Sequence, residues 1–305
     1  MLKTIKASVE MLAGKKVAFL FLAPFEGCFG FCDYCLTPLL RPELIKGRIV
    51  SRGGLPALAH ELRSFSAGLK RQKVVIQFGQ FQDPFALEKW QRTKTGKGII
   101  APLIALFRAL PNMTLTILSK FPDPDVLAGV EPAQNVILAS TLNTEHVRVR
   151  YERGTPSSAQ RLKALATLKK QGWKVAVRVD PVIFYPGWAA EYGRLFKQAR
   201  ALGPEAVVFG VLRHTPDIFR RSSTALRRKL EEDGLSDMGS GEERVAEVHS
   251  LMRRSLGTAL MRRSLPISFR AVRQPLPLLW TRGIAANPLT AGLEKQLQQM
   301  GIYER

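Results

Sequence analysis

Apolar runs alternate with amphipathic stretches along the first two thirds of the chain. The apolar runs have the length of single strands and lie at 16–24, 73–79, 114–121, 135–141, 173–183 and 206–213. Apolar residues at helical spacing occupy stretches between them, at 55–69, 98–110, 157–171 and 188–202. Strands that alternate with helices, with short Gly or Pro breaks, predict a parallel sheet. About six such units predict an α/β fold, namely a partial parallel β/α barrel that is open at one side.

The pattern changes beyond Arg213. Two stretches of helical spacing, 222–233 and 242–260, are separated by a Gly-, Ser- and Asp-rich break, and prolines cluster around 275–277. The alternation of strands and helices does not continue there. We therefore predict a barrel that comprises residues 1–213 and a helical, proline-rich C-terminal extension, residues 214–305, that packs on it.

The apolar runs are short compared with a membrane span. None approaches the roughly 18–20 apolar residues that cross a bilayer. No segment combines a longer apolar region with a small-residue cleavage site, as a signal peptide would. We expect a protein of the cytoplasm, or of the host cytoplasm if it is viral, without a membrane partner.

Basic residues outnumber acidic ones by a wide margin. The chain has 46 Lys and Arg against 25 Asp and Glu, a formal net charge of +21. An excess of this size attracts polyanions, and paired arginines suit contacts with phosphates. Such pairs occur at 220–221, 227–228, 253–254 and 262–263. We expect a nucleic-acid partner, against the alternative that these side chains are simply solvated.

All three cysteines of the protein, Cys28, Cys32 and Cys35, lie within eight residues on the loop that follows the first predicted strand of the barrel. An odd number packed this closely does not form a disulfide framework. A structural zinc ion would need a fourth ligand, and the histidines are far away in sequence. A [4Fe–4S] cluster usually has four cysteine ligands, so three leave one iron open. We favour such a cluster over a zinc site or a chance grouping.

The spacing Cys-x3-Cys-x2-Cys, with the aromatic residue Tyr34 before the last cysteine, resembles the radical S-adenosylmethionine (SAM) superfamily. This resemblance implies that SAM binds to the open iron and is cleaved to methionine and a 5′-deoxyadenosyl radical. It also implies a low-potential reductant, such as flavodoxin or ferredoxin.

An ordered set of residues further along resembles the spore photoproduct lyase family, which repairs a thymine dimer in DNA. The set comprises 141–144, Glu152, 155–157, Arg161, Gly172, 180–185, Gly187, Trp188 and Tyr192, and the likeness runs from Val17 to Arg213. By position, the resemblance implies that SAM is contacted by Tyr34, Asp83, Lys120, Thr141 and Asn143.

Two positions depart from this family. Gln80 stands where the lyase has a hydrogen-donating cysteine, and Leu36 stands where it has a tyrosine proposed for the same relay. An amide and an alkyl chain do not give a hydrogen atom to a carbon radical at a useful rate. A thiol is dispensable if 5′-deoxyadenosine returns its own hydrogen, which suits an isomerisation. We therefore expect rearrangement or modification of a C5-substituted thymine in DNA, as in hypermodified viral DNA.

Three alternatives remain open. The first is repair of thymine dimers with another hydrogen donor. The second is radical chemistry on RNA, a peptide or a metabolite. The third is a non-catalytic iron–sulfur protein that binds DNA.

Several further residues are candidates for catalysis or for positioning. The catalytic candidates are Tyr34, Gln80, Arg178, Asp180 and Tyr185. Arg178 and Asp180 alternate on one predicted strand and can point together into the barrel mouth. Glu152 and Arg161 are expected to form an internal ion pair. Weaker candidates for contacts with the substrate, SAM or a base are His146, His214 and Trp188.

Overall fold

The computed structural model describes residues 5–12, 15–35, 49–68, 74–80, 82–212, 223–234, 241–256 and 265–268. Its centre is a barrel whose strands follow the order β1-β12-β11-β10-β8-β7-β6-β2. The strands of the chain are β1 (Ile5–Leu12), β2 (Lys15–Leu22), β3 (Phe25–Glu26), β4 (Phe31–Cys32), β5 (Val50–Ser51), β6 (Val74–Phe78), β7 (Met113–Ser119), β8 (Val136–Thr141), β9 (Glu152–Arg153), β10 (Lys174–Val182), β11 (Val207–Val211) and β12 (Leu265–Ser268).

The helices surround this sheet. They are α1 (Gly54–Gly68), α2 (Pro84–Thr95), α3 (Ile100–Arg108), α4 (Glu145–Tyr151), α5 (Ser158–Lys170), α6 (Trp188–Leu202), α7 (Thr224–Glu232) and α8 (Gly241–Leu256), with a 3-10 turn at Pro124–Leu127. Helix α5 begins with a capping box, in which the Ser157 hydroxyl and the Gln160 amide each accept a hydrogen bond from the other's backbone N–H.

The predicted parallel β/α barrel is confirmed. Strands β2, β6, β7, β8, β10 and β11 are parallel neighbours in that order. Alternate residues of these strands, such as Ile76, Leu115 and Leu138, are at most 1% exposed and belong to one apolar core with helix residues such as Leu103 and Phe107. The core therefore lies between the sheet and its helices, and the other set of alternate residues faces the barrel interior.

Two strands that we did not predict bridge the open side of the six-stranded sheet. β12 pairs parallel with β11, and β1 pairs antiparallel with both β2 and β12. β12 comes from the predicted C-terminal extension, so this extension supplies a strand to the barrel. The division at residue 213 itself stays a prediction.

The rest of the extension is described in part. Helix α8 packs on α6 and also contacts β11 and β12. Residues 213–222, 235–240, 257–264 and 269–305 lie outside the described residues, and with them lie Arg213, His214, the arginine pairs 220–221 and 262–263, and the prolines around 275–277. In the described part of the chain, no helix has the length and apolar character needed to cross a membrane.

Candidate functional site

The three cysteines lie on the loop that leaves the carboxyl end of β2. Cys32 is buried, and Cys28 and Cys35 are half-buried. The backbone N–H of Gly30 donates a hydrogen bond to Cys28 Sγ at 3.3 Å. A Cβ atom on Gly30 would lie 3.4 Å from Cys28 Sγ and 3.9 Å from Cys32 Sγ. The missing side chain thus leaves a space that two of the sulfurs share.

The electrostatics of these thiols fit a metal cluster. Burial raises the pKa of Cys28 to about 12. Burial also raises the pKa of Cys32, although the Lys120 ammonium opposes this shift. Buried thiolates need positive charge close by, and iron ions supply it. Among the described residues, no three His, Cys, Asp or Glu side chains converge on a single ion. In a [4Fe–4S] cluster each cysteine binds a different iron, so three thiols on one loop fit that group.

A buried set of polar side chains lies behind the cysteines, and we call it the buried network: Tyr34, Lys120, Asn143, Glu152 and Arg161. Lys120 Nζ lies 3.3 Å from Cys32 Sγ, 2.6 Å from the Tyr34 hydroxyl and 3.4 Å from Glu152 Oε1. The Tyr34 hydroxyl donates a hydrogen bond to Glu152 Oε1. A cation, a phenol and a carboxylate thus meet directly beside a cluster ligand.

Arg161 holds the other side of this network. Its side chain is fully buried and donates to Glu152 Oε2 at 2.8 Å, to the Thr141 carbonyl at 2.7 Å and to Thr155 Oγ1 at 2.6 Å. The expected ion pair between Glu152 and Arg161 is therefore present. Burial alone would raise the pKa of Glu152, but attraction by Lys120 and Arg161 outweighs burial and lowers it to about 2.

The network also joins the cysteine loop to the segment after β8. Strand β4 pairs antiparallel with β9, which sets Cys32 opposite Glu152. Asn143 donates from Nδ2 to Glu152 Oε1 and to the Pro181 carbonyl, and Oδ1 of Asn143 accepts from the Tyr192 hydroxyl at 2.5 Å. The polar atoms of Asn143 are thus engaged within the protein.

Asp83 ties the ends of β6 and β7 together. Its Oδ1 accepts from the N–H groups of Phe85 and Ala86, as an N-cap of α2, and from the Ser119 hydroxyl at 2.7 Å. Its Oδ2 accepts from the Lys120 N–H at 2.7 Å. These contacts give Asp83 a positioning role. Contact with SAM stays a prediction for Asp83, as it does for Tyr34, Lys120, Thr141 and Asn143.

Four polar residues meet across the barrel, and we call them the polar bridge: Gln77, Gln80, Arg178 and Asp180. Gln77 Nε2 donates to Gln80 Oε1 at 3.2 Å, and Arg178 Nη1 donates to Gln77 Oε1 at 3.3 Å. Arg178 Nε and Nη2 both donate to Asp180 Oδ2, at 3.1 and 2.6 Å. Three catalytic candidates are thus brought together, and Gln77 was not predicted.

Tyr185 lies apart from this group. Its hydroxyl donates to Thr144 Oγ1 at 2.7 Å, and its ring stacks on His146 with centroids 4.0 Å apart. His146 Nε2 lies 3.3 Å from Asp233 Oδ1, just after α7. Trp188 packs on Phe184. A catalytic role for Tyr185 stays a prediction.

Helix α7 of the extension clamps the cysteine loop. Lys229 Nζ donates to Asp33 Oδ2 at 2.6 Å and to the Arg150 carbonyl at 2.7 Å. The Asp33 N–H donates to the Tyr151 carbonyl at 2.9 Å, and the Tyr151 hydroxyl donates to the Lys229 carbonyl at 3.0 Å. Sequence reasoning missed Asp33 and Lys229, which carry no local signal of their contact. Leu36, one of the two family departures, lies outside the described residues.

Comparison with known proteins finds the same fold. A spore photoproduct lyase complexed with dinucleoside spore photoproduct superposes with a TM-score of 0.65 at 16% sequence identity, over 82% of this chain and 76% of that one. A lyase variant with bound AdoMet and dinucleoside spore photoproduct gives a TM-score of 0.62 at 16% identity, over 81% and 75%. No family model and no curated protein matches the sequence. The chain therefore has the fold of spore photoproduct lyase.

Proposed function

We propose that this chain is a radical SAM enzyme. The observation that carries the proposal is that three thiols lie on the loop that leaves β2, with Cys28 Sγ and Cys32 Sγ next to the space at Gly30. The fold shared with spore photoproduct lyase supports it. Active sites of β/α barrels lie at the carboxyl ends of the strands, which is where this loop begins.

Cys28, Cys32 and Cys35 would hold a [4Fe–4S] cluster, and SAM would bind at the iron that they leave open. When bound, the cluster and SAM supply a 5′-deoxyadenosyl radical that takes a hydrogen atom from a substrate carbon. The Lys120 ammonium, 3.3 Å from Cys32 Sγ, offsets the negative charge of the ligands. Thr141, at the end of β8, is the proposed SAM contact whose hydroxyl has no protein partner among the described residues, so it is available to the cofactor.

The substrate that we propose is a C5-substituted thymine in DNA. The net charge of +21 suits a polyanion, and solved structures of the same fold hold a dinucleoside spore photoproduct. A base inside a duplex would have to be flipped out to be reached. Phosphate contacts by the paired arginines of the sequence would offset that cost.

The protein lacks a thiol to complete a repair reaction. Its only cysteines are the three cluster ligands, and Gln80 is engaged with Gln77 at the barrel edge. We propose that the hydrogen atom is returned by 5′-deoxyadenosine, so that SAM is re-formed and the substrate is isomerised. Such a cycle has no net electron demand, and a flavodoxin- or ferredoxin-type reductant is needed only to start it.

The test is anaerobic reconstitution with iron and sulfide, followed by reduction, addition of SAM and measurement of 5′-deoxyadenosine by mass spectrometry. Cys32→Ala is the control without a complete ligand set. DNA with C5-substituted thymines, deuterated at the substituent, is added in a parallel reaction. We expect 5′-deoxyadenosine only with the intact ligand set, and deuterium from the base in recovered SAM.

The other outcomes separate the alternatives. Conversion of dimer-containing DNA to two thymines would establish repair in place of isomerisation. 5′-Deoxyadenosine without any change in a thymine derivative would refute the DNA substrate and leave the radical SAM assignment standing. A cluster that forms but never cleaves SAM would refute the enzyme proposal.

A further inference from the structure

The barrel interior is incompletely filled. On β6, Val75 is 62% exposed, whereas its neighbours Val74 and Ile76 are 6% and 0% exposed. The same alternation recurs at inward positions of the other strands, which are half-buried: Thr114, Thr116, Ile137, Ala176 and Val208. These positions lie in the amino-terminal halves of their strands or, for Thr116, at mid-strand, so the accessible part of the lumen is towards its amino-terminal end. Nearer the carboxyl ends the inward residues of the strands are buried, and Gln80, after β6, is half-buried.

The polar bridge crosses the lumen nearer the carboxyl ends of the strands. β7 and β8 lie between β6 and β10 in the sheet, so Gln77 and Arg178 can meet only if both point to its concave side. Gln77 is 8% exposed and Asp180 is 9% exposed. Buried polar groups cost free energy unless they are well paired, so a row of them here calls for an explanation.

The position of the bridge is that of a substrate site. Gln77 is the penultimate residue of β6, and Gln80 follows that strand. Asp180 lies near the end of β10. The cysteine loop leaves β2 at the same end of the barrel, and Lys120, 3.3 Å from Cys32 Sγ, follows β7 there. The bridge therefore lies at the same end of the barrel as the cluster ligands.

The charge of the bridge indicates what it can bind. The Arg178 guanidinium is compensated by the Asp180 carboxylate at 2.6 Å. A phosphate or carboxylate would meet this carboxylate as well as the cation. A neutral group with hydrogen-bond donors and acceptors suits the pair better. Gln77 and Gln80 add two carboxamides, each with a donor and an acceptor side by side.

We infer that the polar bridge reads the hydrogen-bonding edge of a pyrimidine ring, with Gln80 as the contacting residue, and this inference rests on the proposed function. The imide edge of thymine alternates carbonyl, N–H and carbonyl groups, and a carboxamide complements two neighbours of such a series. Among the described residues, Gln80 Nε2 has no acceptor. The ring's C5 substituent is thereby turned away from the edge that Gln80 holds.

The test is a binding measurement that does not depend on turnover. The reconstituted protein is titrated into a labelled single-stranded oligothymidylate and into the same strand built from N3-methylthymine, which blocks the imide N–H. We expect the wild-type protein to prefer the unmodified strand by about tenfold, the value of one good amide–base contact. Gln80→Ala and Gln80→Leu are expected to lose the preference, because neither keeps the carboxamide oxygen that accepts from the imide N–H.

Gln91→Ala is the matched control. Gln91 is a carboxamide on α2, bonded to Thr95 of the same helix, and the preference should survive its loss. Equal binding of both strands by the wild-type protein, or a preference retained in both Gln80 variants, would overturn the inference. These outcomes are independent of 5′-deoxyadenosine formation, which tests the proposed function alone. The variant Gln80→Leu keeps most of the side-chain volume, so that a folding defect in Gln80→Ala does not obscure the result.

Discussion

The buried network and the polar bridge are two polar regions at the same end of one barrel, and their hydrogen bonding differs. In the network, Glu152, Arg161 and Asn143 are all 0% exposed and their polar atoms are bonded to other parts of the protein. In the bridge, Gln80 is half-buried and its Nε2 has no acceptor among the described residues, while Arg178 reaches across the barrel to Gln77. Saturated polar groups fix structure, and polar groups with remaining capacity can bind a ligand.

The buried network and the polar bridge also differ in their balance of cations and carboxylates. The network brings two cations, Lys120 and Arg161, to one carboxylate, Glu152, beside a cysteine thiol that ionises when a metal binds. The bridge pairs one cation with one carboxylate. The first arrangement suits an anionic iron–sulfur cluster, and the second suits a neutral ligand.

The largest expected change in the free energy of unfolding comes from loss of a buried ion pair, and it is compared with loss of a solvent-exposed pair. Arg161→Leu removes one cation from a fully buried pair and leaves Glu152 Oε2 and the Thr141 carbonyl without the donors that Arg161 supplies. We expect the free energy of unfolding to fall by about 3–5 kcal/mol, because a buried ion pair loses one partner and buried acceptors lose their donors, although Lys120 remains beside Glu152. Urea unfolding of the metal-free protein measures it.

Arg228→Leu is the matched control for this change. Arg228 pairs with the exposed Glu232 one helical turn away, and such pairs contribute about 0–1 kcal/mol. Equal decreases in the free energy of unfolding in the two variants would show that the buried network stabilises the fold no more than a surface ion pair does.

The next effect concerns the clamp of α7 on the cysteine loop. Lys229→Met removes the cation that contacts Asp33 at 2.6 Å. A hydrogen bond between charged groups contributes about 1.5–3 kcal/mol, so opening of the loop should become at least tenfold more frequent. We expect faster loss of iron to a chelator, followed by visible absorbance of the reconstituted protein.

Arg228→Met tests whether charge alone matters. Arg228 neighbours Lys229 on α7 but pairs with the exposed Glu232 of its own helix. If this variant released iron as fast as Lys229→Met, the effect would come from the net charge of α7 and not from the contact with Asp33.

The sequence predicted the repeating part of the fold well. Six strands and the helices α1, α3, α5 and α6 were predicted within a few residues because each has a long, regular apolar period. β1 was missed although Ile5, Ala7, Val9 and Met11 alternate, because the polar residues between them leave no continuous apolar run like those of the parallel strands. Helix α2 was missed although Asp83 and Pro84 form a start signal, since polar residues dominate its sequence after them.

The site was predictable only where its residues are neighbours in the chain. The cluster motif was predictable because its three ligands, Cys28, Cys32 and Cys35, lie within eight consecutive residues. The contact of Asp33 with Lys229 joins positions 196 residues apart. Neither residue type is unusual on a surface, so no local pattern marks the pair. Gln77 likewise becomes meaningful only once the curvature of the sheet brings β6 opposite β10.

The smallest effect tests whether a predicted SAM contact also supports the fold. Two Asp–Pro sequences start helical segments in this protein, at Asp83 and at Asp123. Asp83 is buried and joins α2 to the end of β7 through Ser119 and Lys120, whereas Asp123 is more exposed and caps a single turn. Asp83→Ala should therefore lower the free energy of unfolding by about 1–2 kcal/mol, as loss of a helix cap does, and Asp123→Ala by less. Thermal unfolding of both metal-free variants measures the difference. If Asp83→Ala is as stable as the wild-type protein, Asp83 does not support the fold. It would then be grouped with Gln80, as a residue whose polar atoms serve a ligand.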